Sequence, residues 1–451
     1  MTRPRRQVSI GMNILGLGGH SAAWRVGEVP SKSHVDVDFY VNIARISERG
    51  TLDAVFLADG PALIGDVSKA PVGRLEPTVL LAALALATSH IGIIATASST
   101  YNEPFNLARR IASLDHISHG RAAWNVVTNA GDAAAQNFGQ AAAALHVDRY
   151  DRAGEFIDTV IKLWDSWEDD AIIDDPINGI YADQAKVHAI NHVGKHFQVK
   201  GALNVPRTPQ GRPVIVQAGG SEGGKTIGSH YAEAIFTTQT TLEAGIAFYN
   251  EMKDRARGWG RDPEGIKIMP GLSTVIGSTE EEARARCDNL DAYDGEDGLL
   301  SQVAQRVGLP VRDLDPDAPL PWHLLGDLTP PEAGSHGFFE AQIKLAKQEN
   351  LTVRQLSRRI RNGHRLIVGS PEQVADTIEE WFLAGAADGF NLMPDVFPSG
   401  AEIFVDHVVP ILRRRGIFRT EYTGTTLRDH LGLATPKNLF ASARARERAA
   451  S

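Results

Sequence analysis

The sequence predicts an α/β fold, a (β/α)8 TIM barrel with long insertions after strands 4 and 7. Two observations support this fold class: short apolar runs typical of buried parallel strands alternate with longer segments of helical periodicity, and eight such runs occur. Eight repeats favour a closed barrel over the alternative, an open doubly wound sheet. The predicted strands are Val8–Leu15, Ala54–Ala58, Ile91–Ala97, Ala122–Val127, Val214–Ala218, Ala234–Thr237, Ile266–Ile276 and Phe390–Met393.

Apolar residues recur with helical spacing between the predicted strands. Thr78–Thr88 is rich in Ala and Leu on all sides, which predicts a nearly fully buried helix. Two later helices are predicted to begin at capping boxes, at Ser278 and at Ser370, the second with proline at the first helical position. The other predicted helices are Val37–Arg49, Asn106–Ile117 and Tyr150–Trp164.

We interpret residues 1–451 as a single barrel domain, because barrels with insertions exceed roughly 400 residues in one domain. Two stretches, 165–212 and 288–364, are too long for ordinary βα loops and are predicted to be ordered insertions. The second insertion is the candidate lid. The Arg- and Ala-rich tail, 441–451, is predicted to be mobile.

Composition excludes several classes of protein. The net charge is −9, from 46 basic and 55 acidic residues, which argues against nucleic acid or an anionic membrane as a partner. No apolar stretch reaches the ~18 residues of a membrane span, and no signal-peptide apolar region follows the N-terminus. Cys287 is the single cysteine, so an intramolecular disulfide and a cysteine metal cluster are excluded. A cytoplasmic location is expected, with no metal.

Polar residues at predicted strand ends are the candidate site residues, because the C-terminal face of a barrel carries the active site. Asp59 follows strand two, and it is either a loop cap or a site carboxylate. Thr96 and Ser98 end strand three, where hydroxyls either contact a ligand or satisfy loop amides. Asn125 lies inside an apolar strand and needs a hydrogen-bond partner.

Strand five runs into a glycine-rich turn that contains Gly220 and Ser221. Backbone N–H groups at the start of a following helix attract phosphate, although a simple glycine-rich turn is the alternative. His146 and Tyr150 are four residues apart on one predicted helix face. A metal pair is one interpretation, and a structural histidine is the other.

These segments together resemble the bacterial-luciferase-like superfamily, and within it the nitrilotriacetate, EDTA and dibenzothiophene-sulfone monooxygenase group. The resemblance covers nearly the whole chain in order, and only 288–364 matches loosely. The segments that carry it are Gly11–Asn13, His20–Arg25, Ala54–Asp59, Ala95–Pro104, Gly120–Thr128, His146–Tyr150, Gln217–Ser221 and Gly424–Leu433.

The resemblance implies a two-component monooxygenase that uses reduced FMN (FMNH2) and O2. A flavin peroxide, kept in a dry pocket, oxidises a small organic substrate such as an organosulfur compound or an aminopolycarboxylate. A separate NAD(P)H-dependent flavin reductase supplies the FMNH2. Family members are commonly homo-oligomers, so a homo-oligomer is expected.

The resemblance also implies flavin contacts at matching positions. Asp59 and Thr96 would lie by the isoalloxazine and ribityl groups, and His146, Tyr150 and Ser221 along the ribityl and phosphate side. The resemblance implies three further flavin contacts, at Asn125, Ser98 and Gly220. Two basic residues, Lys225 and Arg149, are candidates for binding the flavin phosphate because of their charge.

Three histidines, His20, His323 and His336, are candidate catalytic or proton-transfer groups; the alternative is that they lie on the surface or serve packing. A basic pocket would suit a polycarboxylate substrate, and three arginines could contribute to it: Arg25, Arg74 and Arg358. Their spacing in the sequence does not indicate that they lie together.

Three other functions compete with the monooxygenase. A deazaflavin-dependent dehydrogenase of the same superfamily would need neither O2 nor a reductase. A flavin-binding protein without catalysis should lack the lid insertion, which this chain has. A metal-dependent barrel hydrolase would need carboxylates and histidines at several strand ends, where mainly Asp59 is found.

Overall fold

Eight parallel strands close into a barrel in the computed structural model, which describes residues 6–129, 131–325 and 336–443, without the side chains of 336–338. The order around the barrel is β1-β2-β3-β4-β9-β10-β11-β14, and β14 pairs with β1 to close it. All eight predicted strands are confirmed, with ends shifted by at most two residues. The barrel strands are β1 (Ser9–Asn13), β2 (Ala54–Leu57), β3 (Gly92–Ser98), β4 (Ala122–Val127), β9 (Val214–Ala218), β10 (Ala234–Thr237), β11 (Lys267–Ile276) and β14 (Gly389–Pro394).

Helices surround the barrel and fill the insertions. The helices around the barrel pack their apolar faces on the outer surface of the strands, as βα repeats require. A π-helical segment, Phe404–Val408, joins the twelfth and thirteenth helices. The helices are α1 (Val37–Arg49), α2 (Pro77–Ala87), α3 (Pro104–Ile117), α4 (Asp132–Gln136), α5 (His146–Trp164), α6 (Glu222–Tyr231), α7 (Leu242–Gly258), α8 (Glu280–Val307), α9 (His336–Gln348), α10 (Val353–Ser357), α11 (Pro371–Leu383), α12 (Ser399–Ile403), α13 (Val409–Arg414) and α14 (Leu427–Leu431).

Two predictions about helices need correction. α2 is not nearly fully buried, since Val79 and Leu86 on its outer face are 72% and 80% exposed. α8 is capped by Thr279, whose hydroxyl accepts from the Glu282 N–H, one residue later than predicted, because the Ser278 hydroxyl instead contacts the Glu282 carboxylate. The capping box at Ser370 is confirmed.

The insertion 165–212 consists mainly of two antiparallel hairpins. β5 (Ile172–Asp175) pairs with β6 (Ile180–Ala182), and β7 (Ala189–Val193) pairs with β8 (Gln198–Gly201). The second hairpin is fixed to α5 by imidazole–carboxylate pairs, one of them His192 Nε2 to Glu155 Oε1 at 2.9 Å.

The insertion 288–364 has a small hydrophobic core of its own. It begins inside α8, which kinks at Gly295, where φ of 66° favours glycine. The insertion ends with the short strand β12 (Ile360–Arg361), which turns back onto β13 (His364–Gly369), and β13 pairs in parallel with β11. The core residues are Leu300, Val303, Ala304, Val307, Leu314, Leu320, Leu325, Phe339, Ile343, Leu345, Ala346, Leu351, Val353, Leu356 and Ile360.

The barrel interior is packed at its N-terminal end and open at its C-terminal end. Leu427 and Leu431 of α14 join the interior cluster and close the lower end. Higher up, the rings of Phe56 and Phe236 meet edge to face at 4.8 Å. Among the helices described, none is long and apolar enough to span a membrane. Of the predicted mobile tail, residues 441–443 are helical, and 444–451 lie outside the described residues.

Candidate active site

A cavity of about 510 Å³ opens at the C-terminal end of the barrel, in the size range of small-molecule sites. All eight barrel strands or the loops that follow them contribute to it, and these residues form what we call the strand wall. Residues of the insertion 288–364 form the insertion wall. The strand wall is Asn13, Leu15, Phe56, Ala58, Asp59, Thr96, Asn125, Val127, Ala218, Gly219, Gly220, Phe236, Thr237, Thr238, Gly271, Asn391 and Met393; the insertion wall is Arg306, Asn362 and His364.

The strand wall combines apolar residues with polar groups and carries little charge. Asn125 Nδ2 donates to Thr96 Oγ1 at 2.9 Å, and both side chains are buried. The side-chain oxygens of Asn13, Asn125 and Asn391 are buried and have no hydrogen-bond partner within the described part of the chain. Buried polar atoms are normally paired, so three such acceptors around one cavity suit a ligand with N–H or O–H donors.

Asp59 is the carboxylate of the strand wall. Burial raises the pKa of the Asp59 carboxyl, and the Gly60 N–H and the Arg74 charge oppose that shift in part. Arg74 itself does not reach the cavity lining, since its guanidinium donates to Ala58 O at 2.7 Å.

The insertion wall carries one cationic side chain, Arg306, and a histidine, His364. Burial, helped by the Arg306 charge, lowers the pKa of His364 to about 4, so the imidazole is neutral at physiological pH. The ring of His364 lies against Gly271 of β11, where a Cβ atom would overlap it. Burial and the Arg361 charge also lower the pKa of Arg306, to about 10, which leaves its guanidinium charged.

The N-terminus of α6 lies next to the cavity. Ser221 caps the helix by accepting from the Gly224 N–H at 3.2 Å, and its hydroxyl lies 3.3 Å from both His146 Nε2 and Tyr150 Oη. The Tyr150 ring packs on Gly223, where a Cβ atom would meet the ring at 2.7 Å. The first N–H groups of α6 and the positive end of the helix dipole suit an anion here.

Comparison with known proteins shows where this architecture belongs. The model of the family described as luciferase-like monooxygenase matches residues 18–388. This chain belongs to the luciferase-like monooxygenase family. It is a flavin-dependent monooxygenase, in agreement with the resemblance found in its sequence.

Three similar proteins cover almost the whole chain. Nitrilotriacetate monooxygenase component A from Aminobacter aminovorans is 47% identical, over 97% of this chain and 98% of the relative. N-acetyl-S-(2-succino)cysteine monooxygenase from Bacillus subtilis is 44% identical, over 98% of this chain and all of the relative. The structure of EDTA monooxygenase from Chelativorans sp. BNC1 has a TM-score of 0.80 at 38% identity, covering 96% of this chain and 100% of that one.

Two further structures bear on the cofactor. A riboflavin lyase solved with a modified FMN is 33% identical, with a TM-score of 0.81 over 96% of this chain and 97% of that one. The F420-dependent tetrahydromethanopterin reductase from Methanopyrus kandleri has only 14% identity and a TM-score of 0.55 over 90% of this chain and 99% of that one, which shows the fold alone. The deazaflavin-dependent enzymes are thus only distant relatives of this chain.

The predicted flavin-contact residues of this monooxygenase fall into two groups, with one exception. Asp59, Thr96, Asn125 and Gly220 line the cavity, and His146, Tyr150 and Ser221 meet at α6. Ser98 is the exception, because it lies outside the lining and its hydroxyl accepts from the Thr100 and Tyr101 N–H groups at 3.1 Å. Its geometry matches the alternative in which the hydroxyl satisfies loop amides.

Two of the three candidate catalytic histidines, His20 and His323, lie outside the cavity lining. His20 is buried outside the cavity lining, with Nε2 3.0 Å from Asp291 Oδ1 and Nδ1 accepting from the Ala22 N–H. His323 is exposed on a short 3-10 turn, Trp322–Leu324. His336 begins α9, and its side chain lies outside the described residues. The packing alternative fits His20, and the surface alternative fits His323.

The basic residues singled out from the sequence are engaged elsewhere. Arg25 donates to the Tyr293 carbonyl, and Arg358 lies 3.7 Å from Asp288, both outside the cavity lining. Lys225 is paired with Glu251 at 2.8 Å. Arg149, which donates to the Ala144 carbonyl, keeps a buried Nε without a partner among the residues described.

Among the lining residues that sequence reasoning missed are five with amide, guanidinium or imidazole side chains. Asn13 and Asn391 carry the same signal as Asn125, a polar amide within an apolar strand, and could have been found by it. Arg306, Asn362 and His364 come from the insertion, where no strand pattern marks them. The described residues contain no cluster of three or more His, Cys, Asp or Glu side chains that could hold a metal ion, which does not favour the hydrolase alternative.

Proposed function

We propose that this protein is the oxygenase component of a two-component system that uses reduced FMN and O2, with a separate NAD(P)H-dependent flavin reductase supplying the FMNH2. The observation that carries the proposal is the pairing of a ring-sized cavity with an anion-binding helix N-terminus beside it. The name "component A" of the relative from Aminobacter aminovorans supports a second component.

The N-terminus of α6 is the proposed phosphate site. Ser221, Tyr150 and His146 present hydroxyl and imidazole groups, and the first amides of α6 add N–H donors. Arg149 is the better of the two candidate cations, because Lys225 is already neutralised by Glu251.

The cavity is the proposed site of the flavin ring. The unpaired oxygens of Asn13, Asn125 and Asn391 can accept from N–H and hydroxyl groups of the ring system and the ribityl chain. Asp59, whose pKa is raised by burial, can exchange a proton with a bound ligand more readily than an exposed carboxylate. Apolar Phe56 and Phe236 form the floor and help to exclude water.

FMNH2 held by these residues would supply two electrons for the reduction of O2, so that one oxygen atom would enter the substrate and the other would leave as water. The protein's part is to bind the flavin, orient the substrate over it and keep water out. We propose a small organic substrate, and the relatives' names supply the compounds to test first: nitrilotriacetate, N-acetyl-S-(2-succino)cysteine and EDTA.

Flavin binding tests the proposal directly. FMN and, under anaerobic conditions, FMNH2 are titrated into the wild type and into Ser221→Ala and Tyr150→Phe, with flavin fluorescence and absorbance as readouts. We expect tighter binding of FMNH2, weakened roughly 5- to 30-fold in each variant by loss of about 1–2 kcal/mol of phosphate contacts.

Two variants serve as matched controls. Ser370→Ala removes a comparable helix cap at α11, and Tyr181→Phe removes the hydroxyl of a tyrosine that is 61% exposed. Both should bind flavin like the wild type. Failure of the wild type to bind either form of FMN, or binding that Ser221→Ala and Tyr150→Phe leave untouched, would contradict the proposed site.

A further inference from the structure

The insertion wall presents one guanidinium to the cavity without a counter-ion. Within the described part of the chain, the Arg306 guanidinium has no hydrogen-bond or ion-pair partner, although the backbone of Arg306 is part of α8. Other arginines of the insertion are paired: Arg361, whose charge acts on Arg306, with Asp291 at 2.9 Å, and two further arginines with carboxylates. Those two pairs are Arg354 with Glu296 and Arg359 with Glu349.

The surroundings of Arg306 leave its positive charge unbalanced. The Arg361 charge lowers the pKa of Arg306, and the carboxylate of Asp291 pairs with Arg361 and His20 rather than with Arg306. Arg306 is half-buried at the cavity lining, so its guanidinium has lost part of its water, and desolvation of an unpaired cation is costly. A monoanionic ligand would remove that cost.

Asp59, the carboxylate of the strand wall, cannot serve as the counter-ion of Arg306. Asp59 follows β2, whereas His364, whose pKa responds to Arg306, contacts Gly271 of β11 and lies 3.5 Å from Thr238 after β10. In the strand order, β2 and β10 occupy opposite sides of the eight-stranded barrel. The cavity therefore has an acidic side and a basic side.

We propose that Arg306 binds a carboxylate of the substrate and is the specificity-determining residue of this monooxygenase, which assigns the substrate to the small organic acids. The inference rests on the proposed function, because it places the substrate in the same cavity. The planar guanidinium fork matches a carboxylate in two parallel hydrogen bonds. Asn362 and the neutral His364, beside Arg306 in the lining, complete a polar pocket without adding charge.

Carboxylate binding can be measured apart from turnover. Succinate and nitrilotriacetate are titrated calorimetrically into the full-length protein, loaded with FMN and also free of flavin, next to the neutral succinamide and to methanesulfonate. We expect at least one carboxylate to bind, roughly 10- to 100-fold more weakly to Arg306→Met, with an intermediate loss for Arg306→Lys. Succinamide should not distinguish the wild type from Arg306→Met.

Arg358→Met is the matched control, since Arg358 is an exposed arginine of the same insertion and lies outside the cavity lining. It should bind the carboxylates like the wild type, and melting temperatures establish that all variants fold. The proposal is overturned if neither carboxylate binds, if Arg306→Met binds them equally well, or if methanesulfonate binds more tightly than both.

Flavin titrations separate this inference from the proposed function. If Arg306→Met loses affinity for FMNH2 rather than for carboxylates, Arg306 serves the flavin and the inference is wrong. If the wild type binds carboxylates through Arg306 but binds no flavin, the proposed function is wrong, and the titration of flavin-free protein still supports carboxylate recognition.

Discussion

The strand wall and the insertion wall of the cavity come from different parts of the chain and differ in charge. The strand wall takes one or more residues from every barrel strand or the loop after it, and its polar groups are mostly neutral amides and hydroxyls. The insertion wall takes Arg306, Asn362 and His364 from a segment with its own hydrophobic core. The hydrophobic core of the insertion is separate from the main barrel core, so the two walls rest on different sets of packed residues.

This difference suggests that the strand wall and the insertion wall have different functions. A barrel wall fixed by strand pairing suits the part of the reaction that every family member shares, the flavin. A wall carried by an insertion suits the part that differs among relatives named for nitrilotriacetate, EDTA and N-acetyl-S-(2-succino)cysteine. Variants that act on one wall should therefore leave the function of the other intact.

The largest effect is expected where the two walls touch. Gly271→Ala adds a Cβ atom to the strand wall at the place where the His364 ring lies, so the ring and the insertion must shift. A displacement of about 1 Å costs on the order of 100-fold in rate, so turnover should fall by roughly that factor while flavin affinity changes little. Steady-state kinetics with a supplied reductase and a flavin titration measure the two quantities.

Gly265→Ala is the control for this change, since nothing lies within 4 Å of a Cβ atom there. It should keep wild-type turnover. A Gly271→Ala variant that loses flavin binding as severely as turnover would mean that the two walls act as one unit.

A smaller effect is expected within the strand wall. Thr96→Val leaves the buried Asn125 amide without its acceptor, which costs about 1–3 kcal/mol of unfolding free energy. Because the pair also lines the cavity, FMN affinity should fall as well, while carboxylate affinity of the flavin-free protein should not. Denaturant unfolding and flavin titration test this, with the exposed Thr420→Val as a neutral comparison.

The strand wall is also the part that the sequence predicts best. The eight strands are local apolar runs, and Asp59, Thr96 and Asn125 stand out as polar residues at or within them. Strand pairing then brings their ends together without further information. The same reasoning, applied to Asn13 and Asn391, would have completed the wall.

The insertion wall could not be predicted in this way. Arg306 is one of several arginines in its segment, and only packing of the insertion shows that it lacks a carboxylate. His20 illustrates the opposite error, because it lies in a motif of the resemblance, yet its partner Asp291 is 271 residues away in the sequence. Charge pairing at that distance is a property of the tertiary structure alone.

The smallest expected effect lies within the insertion wall, between Arg306 and His364. The folded pKa of His364, about 4, is below its usual value of 6.5, so the unfolded chain takes up the proton first as the pH falls. The contribution of neutral His364 to stability is therefore complete above about pH 6.5 and is lost as the pH falls toward 4. Arg306→Met removes the smaller of the two causes of the lowered pKa, so the pKa should rise but stay below 6.5, because burial remains.

An NMR titration of the His364 ring proton measures this pKa, and Arg306→Lys, which keeps the charge, should leave it near the wild-type value. An unchanged pKa in Arg306→Met would show that the guanidinium charge does not reach the imidazole. Arg306 and His364 would then titrate independently of each other rather than as a coupled pair. A pKa that rises to 6.5 would instead mean that the insertion opens to water when Arg306 is lost, and that the arginine holds the wall closed.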